Sequence, residues 1–301
     1  MSLITKLDTS VSDSSLVQLG TFTLTSKVVE NAVANDRVCG IGGPCELTIV
    51  GNPATCYFTD NTLTQNQGQT KTLTGNGVSY FWVSNANCKI IVKPKYGITD
   101  LTLNGTGIYL DAEGMAQLGY MTSLQHTLFE SLDTAGDISV LKTCSSLKTM
   151  QANQYISGTD GWWGITGDAD ELVGLPLEDI DLHKTSVKAT LSKLASIATL
   201  KTLRLYAVSD VSGNVSSFIG KSNITVLRIG ALRSGVNTKI TGNITDLGDL
   251  VNATTISVAY TAVTGTCDDL AAALAAAGKT SGTVSITQAD GTSKSFTFPL
   301  A

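Results

Sequence analysis

Apolar positions in the middle of the chain recur in one phrase: Leu177-Glu-Asp-Ile-Asp-Leu182, Leu200-Lys-Thr-Leu-Arg-Leu205 and Ile224-Thr-Val-Leu-Arg-Ile229. The central apolar residues Ile180, Leu203 and Leu227 lie 23 and 24 positions apart. Weaker copies run back through Met150, Thr127 and Leu101 and forward through Ile256 and Val284. Successive side chains of a strand point to opposite faces. The phrase therefore predicts short strands with Leu182, Leu205, Ile229 and Val258 turned inward. Asp181, Arg204, Arg228 and Ser257 should then face solvent. A second marker runs in phase, a small residue after a turn: Gly136-Asp-Ile, Gly167-Asp-Ala, Ala189-Thr-Leu, Gly213-Asn-Val, Gly242-Asn-Ile and Gly265-Thr-Cys. Helical spacing follows it, as in Leu191, Leu194 and Ile197. Residues 269–279 make the clearest helix: Asp268 and Asp269 suit an N-terminal dipole, and Gly278 suits C′.

One such unit cannot bury its own apolar residues, whereas stacked copies form a continuous core in which each unit seals the next. The phrase resembles the L-x-x-L-x-L core of the leucine-rich-repeat family, over about eight units between residues 98 and 287. The resemblance implies an α/β solenoid with a parallel sheet on one face. Two departures stand out. The Asn or Cys that normally follows the strand is not regular, which puts an asparagine ladder in doubt, and the repeat length varies. On one rung Asp181 should face Arg204, either as an exposed ion pair or, with Arg228, as a binding column.

Residues 1–97 do not follow the repeat. Period-two stretches such as 18–29, 45–51, 70–75 and 78–84, split by Gly, Asn and Pro, predict a small β-rich N-terminal domain for capping or docking. Residues 27–38 could form a short helix within it. At the other end, residues 288–301 read as a capping strand after an Asp290-Gly291 turn. Two units gain residues after the strand, at Ser157–Thr166 and Arg233–Lys239, and equivalent insertions emerge on one edge of a solenoid. Trp162 and Trp163, flanked by glycines, either form a contact patch or fold back over the core; Arg233 lies in the other insertion.

Composition narrows the function classes. The 301 residues are 42% hydrophobic and only 15% charged, against a usual quarter, so the polar surface is mostly hydroxyl and amide. A net charge of −5 without a basic stripe argues against a nucleic-acid partner. The N-terminal residues form no apolar leader core and no apolar run is long enough to span a bilayer, so neither export by a leader in this sequence nor membrane insertion is expected. Six cysteines (39, 45, 56, 88, 144 and 267) leave buried thiols, disulfides and a metal site open. No C-x2-C pair and only two histidines, His126 and His183, point to a metal. No cofactor is expected: there is no P-loop, and the 40–44 glycine run lacks a following helix pattern. No nucleophile motif or facing carboxylate pairs suggest a catalytic residue. Calcium at 168–171 is the weaker reading of those acids beside helix-entry charges.

These observations imply a non-enzymatic structural or attachment protein. The chain looks like the leucine-rich-repeat proteins of gut phages, including crAss-like phages. That likeness implies a virion component made in the host cytoplasm: a head fibre, capsid decoration or tail-associated protein docked through residues 1–97. The alternative is a bacterial cell-surface or secreted adhesin. Expected partners are proteins of a larger assembly, further copies of the chain, or a host surface or glycan. The candidate contact residues are Trp162, Trp163, Asp181, Arg204, Arg228 and Arg233.

Overall fold

Ile180 lies opposite Leu203, and Leu203 opposite Leu227, on adjoining parallel strands. These strands belong to the computed structural model, which describes residues 21–26, 37–51, 56–58, 70–73, 78–83, 88–95, 97–105, 108–130, 134–152, 163–208, 210–231, 235 and 237–300. Eight parallel strands stack in chain order: Asp100–Gly105, His126–Phe129, Thr149–Gln151, Asp179–Asp181, Thr202–Tyr206, Val226–Gly230, Thr255–Ser257 and Gly282–Thr287. The inward residues Leu182, Leu205, Ile229 and Val258 are all buried. The fold is leucine-rich-repeat-like in this sense: one strand per coil, parallel register, apolar residues in columns.

The register corrects one expectation. Ile256 pairs with Ile286, not with Val284. The slip is two residues, so it keeps the same face inward, and both Val284 and Ile286 are buried. A two-residue period cannot separate those alternatives.

A larger departure is a second parallel sheet. The turn-and-glycine marker ends or follows a strand in each of six coils: Gly136–Asp137, Trp163–Asp168, Thr185–Thr190, Asp210–Asn214, Asn237–Asn243 and Thr261–Thr264, the last stopping just before Gly265. Each coil thus runs main strand, second strand, short helix, next main strand. The two insertions enter this second sheet, where the pairing shifts between Trp163 and Thr166 and again between Asn237 and Thr241.

Why the marker reads Gly-Asp or Gly-Asn becomes clear at the helix starts. Asp111, Asp137, Asp168, Asn214, Asn243 and Thr266 are N-caps, each accepting a backbone N–H of the first turn at 2.8–3.2 Å. A cap of this kind contributes about 1 kcal/mol. Except at Asp111, which follows Leu110, the residue before the cap is a glycine of positive φ, +108° at Gly167 and +118° at Gly242. It also lies against the coil before: a Cβ on Gly242 would stand 2.5 Å from the Asn214 Oδ1 that caps the preceding helix. Asp168 and Asp170 are occupied in this frame. Asp168 caps its helix and pairs with Lys188 Nζ at 2.6 Å, and Asp170 Oδ1 accepts the Thr190 N–H at 2.8 Å.

Side-chain donors also link coils just before the main strand. Thr199 Oγ1 donates to Leu177 O, Asn223 Nδ2 to Leu200 O and Asn252 Nδ2 to Ser222 O. The doubted asparagine ladder therefore exists in part, ahead of the strand instead of behind it.

Both ends of the main sheet are closed by antiparallel strands. Ser293–Phe298 pairs with Gly282–Thr287. Buried Lys279 fills the same end, its Nζ donating to Val251 O and Ala253 O below the Phe298 ring. At the other end Arg37–Gly42 pairs with Asp100–Gly105 and carries Val78–Val83 and Cys56–Phe58 beyond it, giving twelve strands. The chain then turns at Gly43-Pro44 into a five-stranded antiparallel sheet of Phe22–Ser26, Cys45–Gly51, Thr70–Leu73, Cys88–Pro94 and Ile108–Tyr109. Gly40–Pro44 is thus a strand and a corner, with no helix after it to cradle phosphate. Phe22, Leu47, Phe81 and Val92 share one buried cluster with the coil residues. The helix considered at 27–38 falls mostly outside the described residues, and Arg37-Val38 open a strand.

Candidate functional site

On the outer face of the main sheet, residues of one column stand about 4.8 Å from the next rung. That column reads Asp181, Arg204, Arg228, Ser257 and Thr287. It forms the floor of a groove of about 590 Å³, walled by His183, Tyr206 and Lys184 on one side and by Ala259, Tyr260 and Gly291 on the other.

Asp181 corrects the expectation of a solvent-facing carboxylate: it is 5% exposed. Arg204 Nη1 lies 3.5 Å from Asp181 Oδ2 and 3.5 Å from Asp179 Oδ1, so one guanidinium balances two acids. His183 Nδ1 covers the other Asp181 oxygen at 2.7 Å. Gln151 Nε2 donates to Asp179 Oδ2 at 3.1 Å, while Asp179 Oδ1 is buried without a hydrogen bond. Burial pushes the Asp179 carboxyl above its ordinary range; Arg204 and Gln151 pull it back, and Asp181 adds to the rise. The cluster is compact and internally satisfied except at that one oxygen.

Arg228 differs. It lies directly across from Arg204 on one side and from Ser257 on the other, is exposed, and has no ion pair among the described residues. The strand edge beside it is unusual too. Lys184, Ala207 and Tyr260 occupy equivalent places after their strands with φ of 60°, 56° and 56°. Such left-handed non-glycine residues cost about 1–3 kcal/mol each and persist where surroundings fix them. Here the ladder does so: Lys184 N donates to Tyr206 O, Ala207 N to Gly230 O and Tyr260 N to Ala289 O. Thr185 and Thr261, both buried, each donate a hydroxyl to the carbonyl three residues back at 2.7 Å. The matching stretches Leu182-His-Lys-Thr185 and Val258-Ala-Tyr-Thr261 carry this device in the sequence.

Of the predicted contact residues, Asp181, Arg204 and Arg228 come together. Trp163 opens a strand of the second sheet, paired with Thr185. Trp162 and Arg233 lie outside the described residues. His183, Tyr206 and Tyr260 were not anticipated as groove residues, nor Asp179 as the second acid on Arg204. Ser257, the nearest serine of the lining, is three rungs from Asp181, about 14 Å, so no hydroxyl of that column stands beside the Asp181–His183 pair as a nucleophile would. No cluster of three or more metal-ligating side chains occurs among the described residues. Cys39, Cys45, Cys144 and Cys267 are buried thiols, and burial pushes Cys45 and Cys144 up to about 12.

No protein-family model matches the chain, and no curated protein matches it in sequence. Among solved structures it is similar to internalin C2 of Listeria monocytogenes, at 18% identity over 61% of this chain and 74% of that one, with a TM-score of 0.34. A second internalin of that species, inlF, is 18% identical over 55% of each chain, with a TM-score of 0.31. The repeat assignment rests on the strand pairing above, not on these distant likenesses.

Proposed function

We propose that this chain is a non-enzymatic recognition protein that seats a partner in the groove on the outer face of its main sheet. The observation that carries this reading is the exposed Arg228, without an ion pair among the described residues, at the centre of a groove whose floor is held by a rigid parallel ladder. Polar groups converging on a preformed concavity favour binding. A nucleophile three rungs from the only histidine of the lining does not favour catalysis.

The setting we propose is a cell surface or the medium, as for an adhesin, in keeping with the hydroxyl-rich, weakly charged composition. Neither the strand geometry nor the comparisons support the virion setting. The strands before residue 98 act in this reading as a cap, because they continue the main sheet and share its core.

Ser257→Arg tests the groove. Two neighbouring rungs already carry arginine in that column, so the fold should accept it, while the longer side chain fills the cavity. The wild type and variant are applied to one array of glycans and peptides. Signals present for wild type and lost for Ser257→Arg, with melting lowered by no more than the new like-charge neighbour of Arg228 costs, support the reading. Signals that survive the substitution would place the contact elsewhere.

A further inference from the structure

We infer that the groove takes a carboxylate-bearing saccharide, of the uronic or sialic acid kind, with Arg228 as its anchor. The inference rests on the groove being the binding site and adds the chemical class of its ligand. It begins with a charge imbalance between adjoining rungs. Arg204 and Arg228 stand directly opposite each other, an arrangement that is destabilising for like charges. Asp179 and Asp181 neutralise Arg204 from its other side. Arg228 has Ser257 in the equivalent place, and no acid among the described residues reaches it. A planar guanidinium left open at the floor of a groove matches a carboxylate, which it can hold with two parallel hydrogen bonds.

What surrounds Arg228 selects among carboxylates. On the next two rungs the floor carries Thr255, Ser257, Ser285 and Thr287, all partly buried and in two facing pairs. Short hydroxyls in register suit a ligand that is itself dense in hydroxyls. Tyr206 and Tyr260 line the groove from the rungs on either side of Arg228, and aromatic side chains in a groove wall suit a sugar ring. A peptide would need an apolar anchor pocket. Among the described residues the lining contains no Leu, Ile, Val, Met, Phe or Trp.

The experiment uses the full chain and four probes: oligogalacturonate, its carboxyl-reduced counterpart, sialyllactose and lactose, with a glutamate-rich peptide as a fifth. Binding is measured by calorimetry for wild type, Arg228→Ala, Arg228→Lys and Ser257→Arg. At least one acidic sugar should bind at least tenfold more tightly than its neutral counterpart. Arg228→Ala should weaken it at least tenfold and Arg228→Lys by less, with affinity falling as salt rises. Arg228→Ala should melt no lower than wild type, because it removes a like-charge neighbour of Arg204; loss of binding is then not loss of fold. Equal binding of neutral and acidic sugars, an acidic sugar indifferent to Arg228→Ala, capture of the peptide alone, or no binding of any probe would each overturn the inference. Where Ser257→Arg still abolishes what binds, the groove itself stands as the site; where it does not, the groove reading falls as well.

Discussion

Gly242→Ala places a methyl group 2.5 Å from Asn214 Oδ1 and 2.7 Å from Val215 Cγ2, at a backbone φ of +118°. Two costs follow. An L side chain at such a φ costs roughly 1–2 kcal/mol. Asn214 Oδ1 must also retreat, and it holds the Ser216 N–H at 2.9 Å, so a helix cap worth about 1 kcal/mol is weakened in the preceding coil. Together the loss is about 2–3 kcal/mol. Gly174→Ala is the control, because a Cβ there meets nothing within 4 Å and φ is not positive. It should be neutral or gain up to about 1 kcal/mol through a less flexible unfolded chain. Urea unfolding followed by circular dichroism should separate the variants by about 3 kcal/mol, roughly 1 M in midpoint for a slope near 3 kcal/mol per M. Midpoints that coincide would refute the idea that each glycine seats one coil against the cap of the previous one.

Four further outcomes are expected. Arg204→Ala leaves Asp179 and Asp181 without their shared cation and should cost about 2–3 kcal/mol at pH 7, less than for a fully buried pair because Arg204 is partly exposed; the deficit should shrink at pH 4, where carboxylates take up protons. Asp179 has a raised carboxyl pKa, so its contribution to stability is fullest below the ordinary aspartate range and is lost as pH rises through the folded value. Asp179→Asn should therefore compare best with wild type at pH 7 and lose ground as pH falls, read from paired melts at pH 3.5 and pH 7. Cys45 and Cys144, pushed up to about 12 by burial, should resist a thiol reagent at pH 8 in the native protein and react at once in urea, and rapid native labelling would contradict their placement. Deleting residues 1–97 bares the Asp100–Gly105 strand edge and the core beside Leu101 and Leu103, so the fragment should aggregate; a soluble, folded fragment would show that those residues are not a cap.

How much was legible in the sequence differs from element to element. The main strands were, because Ile180, Leu203 and Leu227 repeat an alternation that only a strand buried on one face explains. The second sheet was hidden: its strands are short, and their Gly-Asp and Gly-Asn ends read equally well as turns. Asn214 and Asn243 could have disclosed where those strands end, since a cap residue after a glycine marks a helix start. The last rung was misplaced by two residues because Val284 and Ile286 are both apolar. Within the groove, Asp181, Arg204 and Arg228 followed from one register, but the burial of Asp181 depends on His183 and Arg204 folding over it, which alternation does not encode. Tyr206 and Tyr260 reach the groove through strand ends and left-handed turns, and only the paired Lys184-Thr185 and Tyr260-Thr261 steps hinted at those.

The twelve-stranded main sheet also sets how the molecule answers to tension. A pull between its two ends acts along the interstrand hydrogen bonds instead of shearing strands past one another. Rows loaded in that direction give way in turn, and each freed coil of 23 to 30 residues releases about 80–100 Å of slack. A tether built this way would lengthen stepwise, and a ligand spread over several rungs would itself hold those rows shut.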